Sequence, residues 1–139
     1  MKEKYMFLAI KESHKCATTE DFPVGCVIIE DDKVISLAHN SRNKSNVTID
    51  HAEITAIIEA NMKKKSWRLD DCDMYVTLEP CEMCKNVIRE ARINKIYFLV
   101  SRNLEKKPYS KCKFEKVVIG NRKSDKYIND IKVFFTDKR

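Results

Sequence analysis

Four residues of the sequence have the types and the spacing that metal chemistry requires. His51, Cys81 and Cys84 are side chains that bind zinc well, and Glu53 places a carboxylate two residues after His51. Three protein ligands leave one coordination position of a zinc ion open for water, and zinc lowers the pKa of that water toward neutrality. The sequence therefore predicts about one zinc ion per chain, held by these three ligands, with a carboxylate beside it.

Local sequence explains how the ligands would come together. Cys81 and Cys84 are three positions apart, so they share one face if a helix begins there. Pro80 suits a first helical turn, and the positive end of the helix dipole favours the thiolate form that binds metal. Asp50 resembles the cap of a second helix that begins at His51. The sequence predicts that two helix N-termini converge on one metal ion.

Hydrophobic periodicity and turn residues predict an alternation of helices and strands. We predict helices over residues 1–17, 51–64, 80–91 and 124–137, and strands over residues 24–29, 33–38, 74–78, 95–100 and 116–119. Strand–helix–strand units favour parallel pairing, and ligands of such sheets bind at the carboxyl ends of strands. The tripeptide Glu79-Pro80-Cys81 lies at such an end.

Two polar segments have more than one interpretation. Asn40 follows the second strand and could offer a donor and an acceptor to the edge of a base, or it could serve only as a turn residue. Residues 101–113 form a basic loop that contains Tyr109. Such a loop could stack on nucleic acid and neutralise it, or it could be a solvated surface segment.

Composition narrows the class of protein. The 139 residues suffice for one domain, which we expect to span 1–139, and the net charge of +6 permits a polyanionic partner such as RNA. No apolar run approaches the roughly 20 residues that cross a membrane, and the N-terminus does not resemble a signal peptide. The other cysteines are therefore expected to be free thiols in a reducing cytoplasm. They are Cys16, Cys26, Cys72 and Cys112.

The order His-x-Glu followed by Pro-Cys-x-x-Cys is the signature of zinc-dependent nucleobase deaminases. With these residues the chain resembles the cytidine deaminase-like superfamily, and within it the bacterial tRNA adenosine deaminases. The resemblance runs from about residue 7 to residue 139. It is carried by Pro23-Val24-Gly25, His39-Asn40, His51-Ala52-Glu53, the block 75–84, Ala91-Arg92-Ile93 and Phe134-Phe135.

The resemblance implies a role for each site residue. It implies that His51, Cys81 and Cys84 bind zinc, that Glu53 is the catalytic proton shuttle, and that Asn40 contacts a base flipped into the site. The implied fold is an α/β, three-layer α/β/α sandwich around a five-stranded mixed sheet. The implied reaction converts the wobble adenosine of a tRNA anticodon to inosine. The expected partners are the anticodon stem-loop and a second copy of the chain in a cytoplasmic homodimer.

One segment departs from the family pattern and leaves alternatives open. The family usually carries a Lys- and Gly-rich run after the fourth strand, whereas Ser101–Lys107 has no glycine and the whole segment is shorter. This region helps to hold the anticodon loop in the family, so a deaminase of a free base or nucleoside (guanine, cytosine or cytidine) is an alternative. Another is a non-catalytic, zinc-stabilised RNA-binding module, in which Cys72 or His39 would be a fourth ligand.

Overall fold

A mixed β-sheet organises the first part of the chain. The computed structural model describes residues 1–102 and 112–137, and the chain divides into two compact units, Met1–Glu105 and Lys106–Arg139. The helices are α1 (Glu3–Ser13), α2 (Arg42–Ser45), α3 (Ala52–Lys64), α4 (Glu82–Glu90) and α5 (Arg122–Asp137). The strands are β1 (Gly25–Glu30), β2 (Lys33–His39), β3 (Cys72–Leu78) and β4 (Lys95–Val100).

The strands lie in the order β2-β1-β3-β4. β1 pairs antiparallel with both β2 and β3, whereas β3 pairs parallel with β4. Asp31 and Asp32 form the turn between β1 and β2, with φ values of 48° and 60°. These left-handed values match the twist of a tight hairpin, and a short polar side chain tolerates them. Since α4 connects β3 to β4, the parallel strand–helix–strand unit predicted here is confirmed.

Helices cover both faces of the sheet. Successive side chains of a strand point to opposite faces, so the central strands are buried on both sides and have continuous apolar sequences. One face packs against α1 through Val27, Ile29 and Tyr75, and the other packs against α3 and α4 through Cys26, Ile28, Met74 and Val76. The first unit is therefore a three-layer α/β/α arrangement.

Gly25 permits the closest contact between these layers. A Cβ atom at this position would lie 1.9 Å from the carbonyl oxygen of Ala9 and 2.8 Å from the backbone nitrogen of Ser13. Only glycine lets the backbone of α1 lie directly on β1. Because Gly25 pairs with His39 across the sheet, α1 is also held beside the end of β2 that precedes Asn40.

The fifth strand implied by the resemblance is not confirmed. Within the described residues the sheet has four strands, and residues 112–120 contain neither helix nor strand. An apolar run such as 116–119 becomes a strand only when a neighbour completes its hydrogen bonds. α5 begins at Arg122 rather than at Ser124. The reason is that Asn121 Oδ1 accepts the backbone N–H of Ser124 at 3.1 Å, the hydrogen bond of an N-cap.

The remaining sequence predictions have different outcomes. The polar segment that follows Asn40 contains one short helix, α2, which the sequence did not predict. Most of the predicted loop 101–113 lies outside the described residues, and the single domain over 1–139 stays a prediction. Among the helices of the described residues, none is long and apolar enough to cross a membrane.

Candidate active site

The three predicted zinc ligands lie together at one end of the sheet. The donor atoms of His51, Cys81 and Cys84 all lie within 4.8 Å of one another. His51 Nδ1 is 3.6 Å from Cys81 Sγ and 3.4 Å from Cys84 Sγ. Ligands at tetrahedral zinc distances are separated by about 3.5 Å, so the spacing and the donor chemistry both fit one zinc ion.

Helix N-termini position these side chains. His51 is the N-cap of α3 and Cys81 is the N-cap of α4, both with extended backbone. The predicted cap of α3, Asp50, is wrong by one residue, and neither helix has a side-chain cap. Cys84 lies within the first turn of α4, one turn after Cys81, so their sulfurs face the same side. The unpaired N–H groups and the helix dipoles favour anionic ligands there.

The two thiols differ in acidity. Hydrogen bonds to Cys84 and to His51 lower the pKa of the Cys81 thiol to about 3. The hydrogen bond with Cys81, together with burial, raises the pKa of the Cys84 thiol above its usual value. The Cys81 thiol is therefore the more acidic of the two. Because zinc binds thiolates, metal binding at this pair is coupled to the loss of thiol protons.

Glu53 is a buried carboxyl group beside the metal-ligand cluster. It lies in the first turn of α3 and only 3% of its surface is exposed. Burial raises its pKa, although hydrogen bonds from its own backbone N–H and from Cys84 oppose this effect. A carboxyl group with a raised pKa is suited to accept a proton and release it again near neutral pH.

A cavity of about 280 Å³ brings Asn40, His51 and Glu53 to one surface. Its apolar lining includes Phe22 and Val24. The volume is close to the lower end of the roughly 300–1,000 Å³ found for small-ligand sites. Its wall combines these apolar side chains with polar and charged groups beside the metal-ligand cluster, a combination that can hold the faces of a flat ring and bind its polar edge.

Asn40 is fixed in this wall by its side-chain amide. Its Nδ2 donates to the carbonyl oxygen of Phe22 at 3.1 Å, and its Oδ1 accepts the backbone N–H of Arg42 at 3.2 Å. An amide nitrogen has two N–H donors and an amide oxygen has two lone pairs. One donor and one acceptor position therefore remain for a ligand.

Sequence reasoning missed several residues that shape the cavity. Asp21 is buried, and its carboxylate accepts hydrogen bonds from Thr19 Oγ1 at 2.7 Å and from the backbone of Asn43 at 2.5 Å. Arg42 and Arg102 also line the cavity. None of these residues belongs to a local motif, because each reaches the cavity from a separate segment of the chain.

Glu79, which precedes Pro80, was also missed as a structural link. Lys85 Nζ lies 2.9 Å from Glu79 Oε2, and the backbone N–H of Arg102 donates to Glu79 Oε1 at 3.2 Å. These two hydrogen bonds hold the pKa of Glu79 below its usual range. The carboxylate thus joins the first turn of α4 to the end of β4.

The proposed fourth ligands of a structural zinc site lie elsewhere. Cys72 is the first residue of β3, and the ligand Cys81 follows the other end of that strand. A strand of this length spans about 20 Å. His39 Nδ1 contacts Glu12 Oε1 at 2.9 Å instead. Among the described residues, the ligand cluster contains only His51, Cys81 and Cys84.

Comparisons with known proteins agree with this geometry. Residues 1–100 match the family model of the cytidine and deoxycytidylate deaminase zinc-binding region. The chain is 44% identical over 94 residues to the tRNA-specific adenosine deaminase of Streptococcus pyogenes serotype M18, a match that covers 68% of this chain and 59% of that protein. For the tRNA-specific adenosine deaminase of Bacillus subtilis strain 168 the identity is 40% over 96 residues, covering 69% and 60%. The chain thus spans about three fifths of the length of these curated relatives.

Solved structures show the same architecture. One solved structure comes from a study of A-to-I editing by tRNA:A34 deaminases at the wobble position. It matches with a TM-score of 0.72 and 34% identity, and the match covers 74% of this chain and 75% of the chain in that structure. Guanine deaminase from Bacillus subtilis gives a TM-score of 0.81 over 98% of this chain and 94% of its own. At 22% identity the second likeness concerns the fold alone. The resemblance inferred from the motifs is confirmed.

Proposed function

Because the chain belongs to the cytidine and deoxycytidylate deaminase zinc-binding family, we propose that it is a zinc-dependent hydrolase that converts the wobble adenosine of a tRNA anticodon to inosine. The observation that carries the proposal is the buried Glu53 carboxyl group in one cavity with His51, whose ring contacts Cys81 and Cys84. The choice of adenosine in tRNA is supported by relatives that are tRNA-specific adenosine deaminases.

Each residue has a role in the proposed reaction. His51, Cys81 and Cys84 hold the zinc ion, which when bound supplies a water molecule of lowered pKa as the nucleophile. Glu53 takes a proton from the attacking water and delivers it to the ring nitrogen. It then takes the second proton from the added hydroxyl group and delivers it to the leaving amino group. Water replaces the amino group at the ring carbon, and ammonia leaves. Asn40 uses its remaining donor and acceptor to orient the base.

We also propose that the active form is a cytoplasmic homodimer. The support is the resemblance to tRNA adenosine deaminases, in which both subunits contribute to the RNA site. Sedimentation of the purified protein measures this directly. A fully active protein that sediments only as a monomer would contradict the dimer.

Ammonia release tests the proposed substrate. The protein is incubated with an anticodon stem-loop that carries adenosine at the wobble position, and separately with adenosine, guanine, cytosine and cytidine. We expect ammonia from the stem-loop and inosine in the digested RNA. A stem-loop with guanosine at the wobble position is the matched control and should release none.

Two results would overturn the proposal. Ammonia from a free base or nucleoside, with none from the stem-loop, would assign the chain to small-substrate deamination. Retained zinc with no activity on any of these compounds would favour the non-catalytic RNA-binding module. The Glu53→Gln protein serves as the blank in both cases.

A further inference from the structure

Two arginine side chains line the cavity that contains Asn40 and Glu53. Arg42 follows β2 at the start of α2, and Arg102 follows the end of β4. Within residues 1–102 and 112–137, neither guanidinium group forms an ion pair with a carboxylate. Asp21 and Glu53 also line this cavity, but within the described residues neither carboxyl group forms an ion pair with Arg42 or Arg102, so both guanidinium groups can still pair with an anionic ligand.

Arg102 is held in place by Glu79. Its Nε donates to the carbonyl oxygen of Glu79 at 3.0 Å, and its backbone N–H donates to Glu79 Oε1 at 3.2 Å. The other carboxylate oxygen of Glu79 is occupied by Lys85. A guanidinium group has five N–H donors, so this anchoring through Nε leaves four on its terminal nitrogens.

Arg42, the first residue of α2, is anchored in the same way. Its Nε donates to the carbonyl oxygen of Thr48 at 2.9 Å, and its backbone N–H donates to Asn40 Oδ1 at 3.2 Å. A hydrogen bond thus links Asn40, the residue proposed to orient the base, directly to Arg42, which carries the positive charge. A guanidinium group fixed through Nε loses little further side-chain entropy when its terminal nitrogens bind a ligand.

The charge of the substrate explains why such groups would line this cavity. A free nucleobase is neutral, whereas a nucleotide within RNA has a phosphodiester on each side. Guanidinium groups bind phosphate through charge-assisted hydrogen bonds of matching geometry. We propose that Arg42 and Arg102 bind the phosphates that flank the target nucleotide, so that the site selects a base within a polynucleotide. This inference rests on the proposed function and names the feature of the substrate that the site selects.

Binding of RNA with one neutral linkage tests the proposal. Wild-type and variant chains are prepared in the Glu53→Gln background, and their affinities are measured for the stem-loop and for versions with a methylphosphonate on the 5′ or the 3′ side of the target adenosine. We expect Arg102→Gln and Arg42→Gln each to weaken binding roughly tenfold. Each should also reduce the slope of log affinity against log salt by about 0.7, the value for one single-strand phosphate contact.

The neutral linkages give the decisive comparison. Each arginine is proposed to bind one of the two flanking phosphates. When that phosphate is replaced by a neutral methylphosphonate, the wild-type protein and the protein without that arginine should bind the RNA with equal affinity, because the charge that the arginine recognises is already absent. Equal losses on charged and neutral RNA, or no loss on either, would overturn the proposal. Arg102→Lys keeps the charge and should retain the salt dependence, which separates charge from folding defects.

A control and an independent readout complete the experiment. Lys33→Gln removes one positive charge at the opposite end of β2, so it should affect the charged and neutral RNAs alike. If the wild-type protein releases no ammonia from RNA, the proposed function fails. The phosphate-dependent effect of each arginine on binding is still measured in that case and decides the present inference separately.

Discussion

His39 Nδ1 lies 2.9 Å from Oε1 of Glu12, which joins the last residue of β2 to α1. The other oxygen of Glu12 lies 2.9 Å from Lys15 Nζ, and the Glu12 side chain is only 8% exposed. The next residue after His39 is Asn40, whose carbonyl oxygen accepts the thiol of Cys16 at 3.3 Å. The contact between Glu12 and His39 therefore supports the backbone that carries the Asn40 amide.

Glu12→Gln should destabilise the protein in a pH-dependent way. Burial alone would raise the pKa of Glu12, but hydrogen bonds with His39 and Lys15 outweigh burial, so its pKa in the folded protein is lowered. A lowered pKa means that the charged group stabilises the fold above the unfolded pKa of about 4.3, and that this stabilisation is lost as the pH falls through the folded value.

We expect the free energy of unfolding to fall by about 1–2 kcal/mol at pH 7 in Glu12→Gln, and the difference from wild type to shrink below about pH 4.3. Urea denaturation at a series of pH values from 7 to below about 4.3 measures this difference. Glu3→Gln, in the exposed first turn of the same helix, is the control and should change the stability by less than about 0.5 kcal/mol. A difference that grows as the pH falls would contradict this reading.

Gly25→Ala should separate α1 from β1. The added methyl group would meet backbone atoms of Ala9 and Ser13, which cannot rotate away. Overpacking of this kind costs about 1–3 kcal/mol or more, and thermal denaturation measures it. Gly120→Ala is a matched control because, apart from its two chain neighbours, no atom of residues 1–102 and 112–137 lies within 4 Å of the added carbon, and it should be neutral or slightly stabilising. Equal stability of both variants would show that the contact with α1 is not tight.

Substitution of a zinc ligand should remove metal and activity together. Cys81→Ser and His51→Ala each leave two ligands, too few for a stable zinc site. Metal analysis should give about one zinc per chain for wild type and much less for both variants. Cys72→Ala, at the far end of β3, should retain zinc. Full zinc content in both ligand variants would refute the assignment.

Glu53→Gln should separate chemistry from binding. The amide keeps the size of the side chain but cannot transfer protons at neutral pH. Turnover should fall by at least roughly 10²–10⁴-fold, while zinc content and RNA affinity change little. Glu59→Gln, on the exposed side of the same helix, is the control and should leave turnover unchanged. A Glu53→Gln rate close to wild type would rule out the proton shuttle.

Asn40→Ala should act mainly on substrate positioning. It removes the donor and the acceptor that remain for the base, and it frees the carbonyl oxygen of Phe22. We expect a higher KM and a smaller loss of kcat than for Glu53→Gln, measured under steady state on the stem-loop. Unchanged KM and kcat would exclude Asn40 from the substrate site.

Local sequence determined the chemistry of this protein. Cys81 and Cys84 are one helical turn apart, and His51 and Glu53 lie at the start of another helix. Short-range geometry sets the positions within each of these two pairs, whereas the packing of α3 and α4 brings the pairs together. The hairpin turn at Asp31 was equally predictable, because turns follow from the conformational preferences of a few adjacent residues.

Tertiary structure alone decided which other groups surround that chemistry. The contact of Glu12 with His39, and that of Glu79 with Arg102, join residues separated by more than twenty positions, and no periodicity in the sequence indicates such pairs. The order β2-β1-β3-β4 arises because β1 buries apolar side chains on both faces between two partners. The apolar run 116–119 shows that composition alone is not enough: its residues favour a strand, but a strand forms only where a neighbouring strand completes its hydrogen bonds.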